Sequence, residues 1–416
     1  MEDNQINIAL VGHVDHGKSS ILGRLLVETH SLPSGKLEQL KSYCENHSKD
    51  FEYAYLIDAL EKEQAQGITI DAARYFIRSD GCKFLLIDTP GHLDFIKNMM
   101  TGSSTADIAL LTIDAKEGIQ ENALRHLFLL SFLQIQRVIV LVNKMDRVDY
   151  SEAVFKELST AISNTLQLHQ IPLREILPLS AKKGDNFIAS SPNMPWYAGP
   201  SLWAVLRSFS LPEKRLNTQL RMPLQDIYRF SKGGDTRRIY CGTITAGTLK
   251  KGDRILFSPS QKTGIVASIE SEPIEPTAGC ATGFTLEQPL FVERGELISH
   301  QESFSPLVGN RLKVRLFWIG SRPISEGAKY HFRIHTHKVG CTIEAILAVY
   351  DSATLAIRKE GPAQAYEIIE CIIRTVKPVA FDIPPLFLDT TRFALVDALE
   401  MVAAGVVQEN QGPPAS

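Results

Sequence analysis

The chain has little of what would staple it or carry it into a membrane. Its six cysteines (Cys44, Cys82, Cys241, Cys280, Cys341 and Cys371) lie far apart. None forms a C-x-x-C pair or a short Cys/His clamp, which argues against a zinc site or a disulfide scaffold and for reduced thiols. The most apolar stretches, residues 108–113, 127–133 and 138–142, fall far short of the roughly 20 residues of a membrane helix. An excess of one charge is also missing: Lys+Arg 44 against Asp+Glu 47 gives a net charge of −3. No global field therefore draws the chain onto nucleic acid or an anionic membrane, although a local basic patch stays open. The opening Met1-Glu2-Asp3-Asn4-Gln5-Ile6 lacks the charged-then-apolar signature of a secretory leader, and a cytoplasmic location is expected. Internal repeats and low-complexity blocks are absent too.

What is there is 416 residues, 44% of them hydrophobic, enough for two to four domains at about 100–200 residues each. Up to about Leu206, apolar runs at 6–11, 84–87, 108–113 and 138–142 alternate with helical patterns, the first of them at 18–28. That alternation predicts a parallel sheet with helices on both faces. Residues 202–209 read as a last short helix. Beyond Leu211-Pro212 the texture changes to short alternating runs with turn signals at 233–235, 248–252, Gly264 and Gly279, which suits small antiparallel barrels. A second β-rich segment begins near Arg311, with Leu312, Val314 and Leu316 facing inward. The expected division is 1–211, 212–305 and 306–407, followed by a polar, Pro-containing tail, 408–416, expected to be unstructured.

Gly12-His13-Val14-Asp15-His16-Gly17-Lys18-Ser19 fits G-x-x-x-x-G-K-[ST], after a predicted strand and at the start of a predicted helix that continues through Ser20. Glycines let the backbone curl so that successive N–H groups point at one phosphate, and the helix N-terminus adds a favourable dipole. Lys18 then reaches the β- and γ-phosphates and the Ser19 hydroxyl ligates Mg²⁺. His13 and His16 are loop residues here with no chemistry of their own.

Companions follow in order. Asp88-Thr89-Pro90-Gly91-His92 comes directly after a strand: Asp88 is placed to hold Mg²⁺ through water, and the Gly91 N–H to meet a γ-phosphate. Thr69, within Gln66-Gly67-Ile68-Thr69, completes the Mg²⁺ shell. Asn143-Lys144-Met145-Asp146 follows another strand; alone it suits an ordinary strand-to-helix turn equally well. Its Asp146 offers two acceptors to the N1–H and N2 amine of guanine, and adenine would leave that carboxylate unpaired. Ser180-Ala181-Lys182 follows residues 176–179 as a loop that backs the base. Five elements in this order make a guanine-nucleotide site, with GTP and Mg²⁺ as cofactors. His335 and His337, two apart on an expected strand, lack a third metal ligand nearby.

The set resembles the translation-factor class of GTPases typified by elongation factor Tu and elongation factor 1-alpha. The resemblance implies an α/β P-loop GTPase domain followed by two antiparallel β-barrels, with His92 positioning the attacking water and Val14 and Ile68 forming an apolar gate. Within that class several stretches resemble the large GTPase subunit (subunit 1) of bacterial sulfate adenylyltransferase: 58–63 running into 66–71, Arg74-Tyr75-Phe76, 101–105, 148–151, Gly184-Asp185-Asn186, 194–197, and Trp318 with 323–327. The His13/His16 loop and Arg392 to Asp397 with 402–406 are instead nearer to elongation factors. The sulfate resemblance implies that GTP hydrolysis here drives formation of adenosine 5′-phosphosulfate and pyrophosphate from ATP and sulfate on a separate small ATP-binding subunit. The alternative is a translational GTPase binding aminoacyl-tRNA or the ribosome, for which Arg237-Arg238, Lys250-Lys251 and Arg311-Lys313-Arg315 are the dense basic candidates. Ser231 to Asp235 reads as a hairpin turn.

Overall fold

A computed structural model of the chain describes residues 5–32, 35–47, 50–57, 74–79, 82–88, 106–132, 135, 137–168, 171–209, 219–229, 237–352, 356–358, 362–384 and 387–412. Two compact units divide it, Met1–Leu211 and Pro212–Ser416.

The first unit is built on β1 (Gln5–Gly12), β2 (Arg74–Ser79), β3 (Cys82–Asp88), β4 (Ile108–Asp114), β5 (Val138–Asn143) and β6 (Leu173–Pro178), in the order β2-β3-β1-β4-β5-β6. Neighbours are parallel except for the β2–β3 edge pair. Every position of β4 and β5 is buried, because parallel strands are covered on both faces; this is why they read as unbroken apolar runs. The helices are α1 (Lys18–Glu28), α2 (Lys36–Asn46), α3 (Glu121–Phe132), α4 (Glu152–Leu168) and α5 (Leu202–Arg207). α1 buries Ile21, Leu22, Leu25 and Leu26, a spacing that lays one apolar stripe on the sheet. The Ser201 side chain caps α5 by accepting from the Ala204 N–H at 3.3 Å. From β1 the chain builds β2 and β3 on one side of it and then crosses to β4 on the other. The order thus reverses beside β1, the place where such sheets hold a ligand at the strands' carboxyl ends.

The second unit holds two barrels. β7 (Met222–Arg229), β8 (Arg238–Thr243), β9 (Arg254–Ser258), β10 (Lys262–Ile269), β11 (Ala281–Leu286) and β12 (Leu297–His300) close in the order β10-β11-β8-β7-β12-β9. In the other, β14 (Lys329–Ile334), β18 (Arg392–Asp397), β19 (Glu400–Asn410), β13 (Leu307–Trp318), β17 (Glu367–Phe381) and β15 (His337–Asp351) form a ring closed by the β14–β15 pairing, and β16 (Ile357–Arg358) adds to β15 outside it. Leu312, Val314 and Leu316 point into this core as their alternation predicts. The barrels are joined by a buried ion pair: Arg221 Nε donates to Asp382 Oδ2 at 2.9 Å and Nη2 to Oδ1 at 3.0 Å. Nη1 and Nη2 also reach the carbonyls of Leu220 and Phe304, and the Phe387 ring lies 3.9 Å from the guanidinium carbon.

Two expectations need correction. Pairing continues past Val407: Glu409 and Asn410 sit opposite Lys313 and Leu312, and Asn410 Nδ2 donates to the Val308 carbonyl at 3.2 Å. Polar side chains do not stop a strand whose backbone has a partner. His335 and His337 are not on one strand either; His335 takes φ 50° in a hairpin turn with Thr336, and His337 opens β15. Residues 231–235 lie outside the described residues. Among the described residues Cys44, Cys241, Cys280, Cys341 and Cys371 are free thiols, and no helix is long and apolar enough to cross a membrane.

Candidate functional site

The loop from Gly12 to Gly17 joins β1 to α1, and its glycines are demanded by geometry. Gly12 has φ +144°, and a Cβ there would meet the Thr112 carbonyl oxygen at 2.5 Å. Gly17 has φ +95°, and its Cβ would lie 2.4 Å from Asn143 Nδ2. Lys18, 9% exposed, begins α1 and folds back so that Nζ donates to the Gly12 and His13 carbonyls, both at 2.8 Å. Burial lowers its pKa, and the charges of Asp88 and Asp15 partly oppose that shift. Ser19 and Ser20 follow in the first turn, half-buried, while Val14 is 38% exposed on the loop.

His16 does more than fill the loop. Fully buried, its Nδ1 bonds the Thr112 carbonyl at 3.1 Å and its Nε2 lies 3.4 Å from Glu117. Burial keeps its pKa below the usual value. The neutral ring thus pins the loop to the end of β4, from 96 residues away, which no local pattern announces.

The base-side loops are tied into the same network. Asn143 Nδ2 donates to the His16 carbonyl at 2.9 Å, and its Oδ1 accepts from the Ala181 N–H at 3.0 Å. Lys144 Nζ donates to the Asp15 carbonyl and pairs with Asp114 at 2.8 Å. Burial pushes the Asp114 carboxyl up, but hydrogen bonds from Lys144 and the Lys116 and Glu117 N–H groups outweigh it and hold the pKa below the usual range. Motif reading does not single out Asp114; its place at the end of a buried, mostly apolar strand is the available signal. Met145 is buried and its N–H bonds the Leu179 carbonyl. Asp146, half-buried, accepts from the Ser180 hydroxyl at 2.6 Å, and Lys182 is exposed beyond it.

Asp88 closes β3, in register with Leu10 of β1. Thr69, Thr89, Pro90, Gly91, His92 and Ile68 lie outside the described residues. What is described fits a nucleoside triphosphate with a hard cation: two glycines whose Cβ atoms have no room, a buried lysine beside the loop, and oxygen ligands at Ser19 and Asp88 of the kind Mg²⁺ takes. Five of the seven basic candidates on the barrels pair with glutamates, while Arg238 donates to the Leu290 carbonyl and lies over the Phe291 ring. Arg237 pairs with Glu270, Lys250 with Glu275, Arg311 with Glu344, Lys313 with Glu409 and Arg315 with Glu370.

Similarity to known proteins runs over nearly the whole chain. Residues 3–225 match the elongation factor Tu GTP binding domain, and residues 311–408 match the GTP-eEF1A C-terminal domain-like family. Elongation factor 1-alpha of Methanocella arvoryzae is 34% identical, with 97% of each chain covered. That of Thermoplasma volcanium is 35% identical, with 96% of each covered. A crystal structure of sup35 complexed with GDP aligns over 99% of this chain and 95% of its own, with a TM-score of 0.45 and 23% identity.

These relatives overturn the sulfate adenylyltransferase expectation and, with it, the small ATP-binding partner subunit and the disfavoured place of nucleic acid among the partners. The segments that suggested it are short and scattered, whereas the likeness to elongation factor 1-alpha runs through the GTP-binding unit and both barrels. The His13/His16 phosphate loop already leaned that way.

Proposed function

This chain belongs to the translation-factor class of GTPases that carry the elongation factor Tu GTP-binding domain, and we propose that it works as a translational GTPase of elongation factor 1-alpha type, binding aminoacyl-tRNA or the ribosome in the cytoplasm. GTP and Mg²⁺ are its cofactors. The observation that carries the proposal is identity of 34–35% sustained over 96–97% of the chain, barrels included.

In this reading the N–H groups of residues 12–18 cradle the phosphates, and Lys18 leaves the loop carbonyls for the β- and γ-phosphates. Ser19, Thr69 and Asp88 hold Mg²⁺, which neutralises charge developing on the phosphoryl oxygens when bound. Asp146 takes the guanine N1–H and N2 amine while Ser180 holds its other side. Asn143 and Lys144 brace the phosphate loop, Met145 anchors that turn, and Ala181 and Lys182 back the base. By the family resemblance, the Gly91 N–H of the Asp88-Thr89-Pro90-Gly91-His92 motif serves the γ-phosphate, and His92 orients the attacking water behind the Val14–Ile68 gate. Residues 1–211 serve as the GTPase domain, with 212–305 and 306–410 as the barrels that meet the RNA.

The test is retention of aminoacyl-tRNA by the full chain loaded with a non-hydrolysable GTP analogue or with GDP. Binding to the GTP-analogue form at least tenfold tighter than to the GDP form, and stronger for charged than for deacylated tRNA, is the expected result. Equal binding in both states, together with GTP hydrolysis that ribosomes do not accelerate, would overturn the proposal. Because five of the seven dense basic residues pair with glutamates, the affinity should fall less steeply with salt than their number alone implies.

A further inference from the structure

Arg24 has no place in any of the motifs. It lies on α1, two turns beyond the phosphate loop, and its guanidinium reaches across to the base-side loop. Nη1 donates to the carbonyls of both Ala181 and Lys182, each at 3.1 Å. Nη2 pairs with Glu28 at 2.9 Å, one helical turn on. The plane stands 4.8 Å from the Tyr53 ring centroid and 5.7 Å from that of Phe187, and the side chain is 12% exposed. The chain makes room for it: Gly184 has φ +90°, and a Cβ there would sit 2.0 Å from Nη2. Gly23 likewise admits the Tyr53 carbonyl, 2.3 Å from where its Cβ would be.

The loop so held is tied on its other sides to the base-reading residues, through the Ala181 N–H to Asn143 and the Ser180 hydroxyl to Asp146. A peptide unit is planar and trans, so fixing the Ala181 and Lys182 carbonyls also fixes the direction of the N–H groups that follow them. A lysine's point charge would not supply the flat fork and the two aromatic contacts together.

We propose that Arg24 is a positioning residue for guanine selection: without touching the nucleotide, it locks the Ala181–Lys182 loop to the helix that carries Lys18. This rests on the reading of Asp146 and Ser180–Lys182 as the guanine site. The experiment measures equilibrium binding and release of fluorescent GDP and ADP by the full chain, beside its melting temperature. Arg24→Ala should weaken GDP about ten- to a hundredfold, speed its release similarly and leave ADP unchanged, so that the GDP/ADP ratio shrinks. Arg24→Lys should recover part of the ratio. Should Arg24→Ala not fold, Arg24→Gln, which keeps a donor for one carbonyl, carries the same comparison. Equal loss for both nucleotides, or a lowered melting temperature with the ratio intact, would make Arg24 merely structural and overturn the proposal. A wild-type chain that does not prefer GDP to ADP would instead overturn the guanine-site reading beneath it.

Discussion

The phosphate loop and the junction between the two barrels both rely on buried charge, but they finish it differently. Asp382 takes both nitrogens of the Arg221 fork and the Thr390 hydroxyl, while Arg221 serves two further carbonyls and lies against Phe387. Four of its five N–H donors are spent inside the protein, and Asp382 supplies its counter-charge there. Lys18 spends two bonds on loop carbonyls, and Asp146 holds one from Ser180. Three donors on an ammonium and about four acceptor positions on a carboxylate leave capacity for a ligand. A charge bonded to a buried counter-charge fixes a structure; a charge braced only by neutral groups is set to bind.

The contrast predicts opposite failures. Lys18→Ala should abolish GTP binding, at least about a hundredfold in affinity given what hydrogen bonds to charged groups contribute, while the unliganded protein's melting temperature moves little. Fluorescent nucleotide titration beside thermal melting checks both halves. Arg221→Met should do the reverse. It strands Asp382 in the barrel junction and should cost about 3–5 kcal/mol of stability, seen as a lower denaturant midpoint by Trp318 fluorescence, with GTP affinity kept. Replacing the pair together, Arg221→Met with Asp382→Leu, should recover most of the loss. A single variant as stable as wild type would mean that the junction is not where the second unit stores its stability.

How much of this was legible depended on distance along the chain. The α1 bounds, Lys18–Glu28, are those the sequence predicts, because a glycine turn and an apolar stripe are local signals. The strands carrying Gly12, Asp88 and Asn143 were legible as apolar runs for the same reason. What escaped was held by contacts between remote residues: His16 on Thr112, Arg24 on Ala181, and Arg221 on Asp382, the last 161 residues apart. The His335–Thr336 turn escaped because no Gly or Asn marks it. The branch of the family was misjudged because short scattered segments, nearly all of them in the first unit with only Trp318 and residues 323–327 from the barrels, were weighed above the likeness of the chain as a whole.

His126 breaks the contrast and so sharpens it. It stands on α3, fully buried, close enough to Lys18 to feel its charge. Neither ring nitrogen has a hydrogen-bond partner among the described residues. Burial, and then the charge of Lys18, push its pKa down to about 3 from the ordinary 6.5. The folded state thus refuses a proton that the unfolded state accepts. Stability is whole above the unfolded pKa and drains away as pH falls from 6.5 towards 3, by about 1 kcal/mol between pH 7 and pH 5.5. In a Trp318→Phe background, Trp196 and Trp203 report on the first unit alone, and denaturant unfolding at the two pH values reads the loss. His126→Leu should remove that part of the slope. An unchanged slope would mean that the ring finds a proton partner on folding, and that the phosphate loop is backed by a saturated group after all.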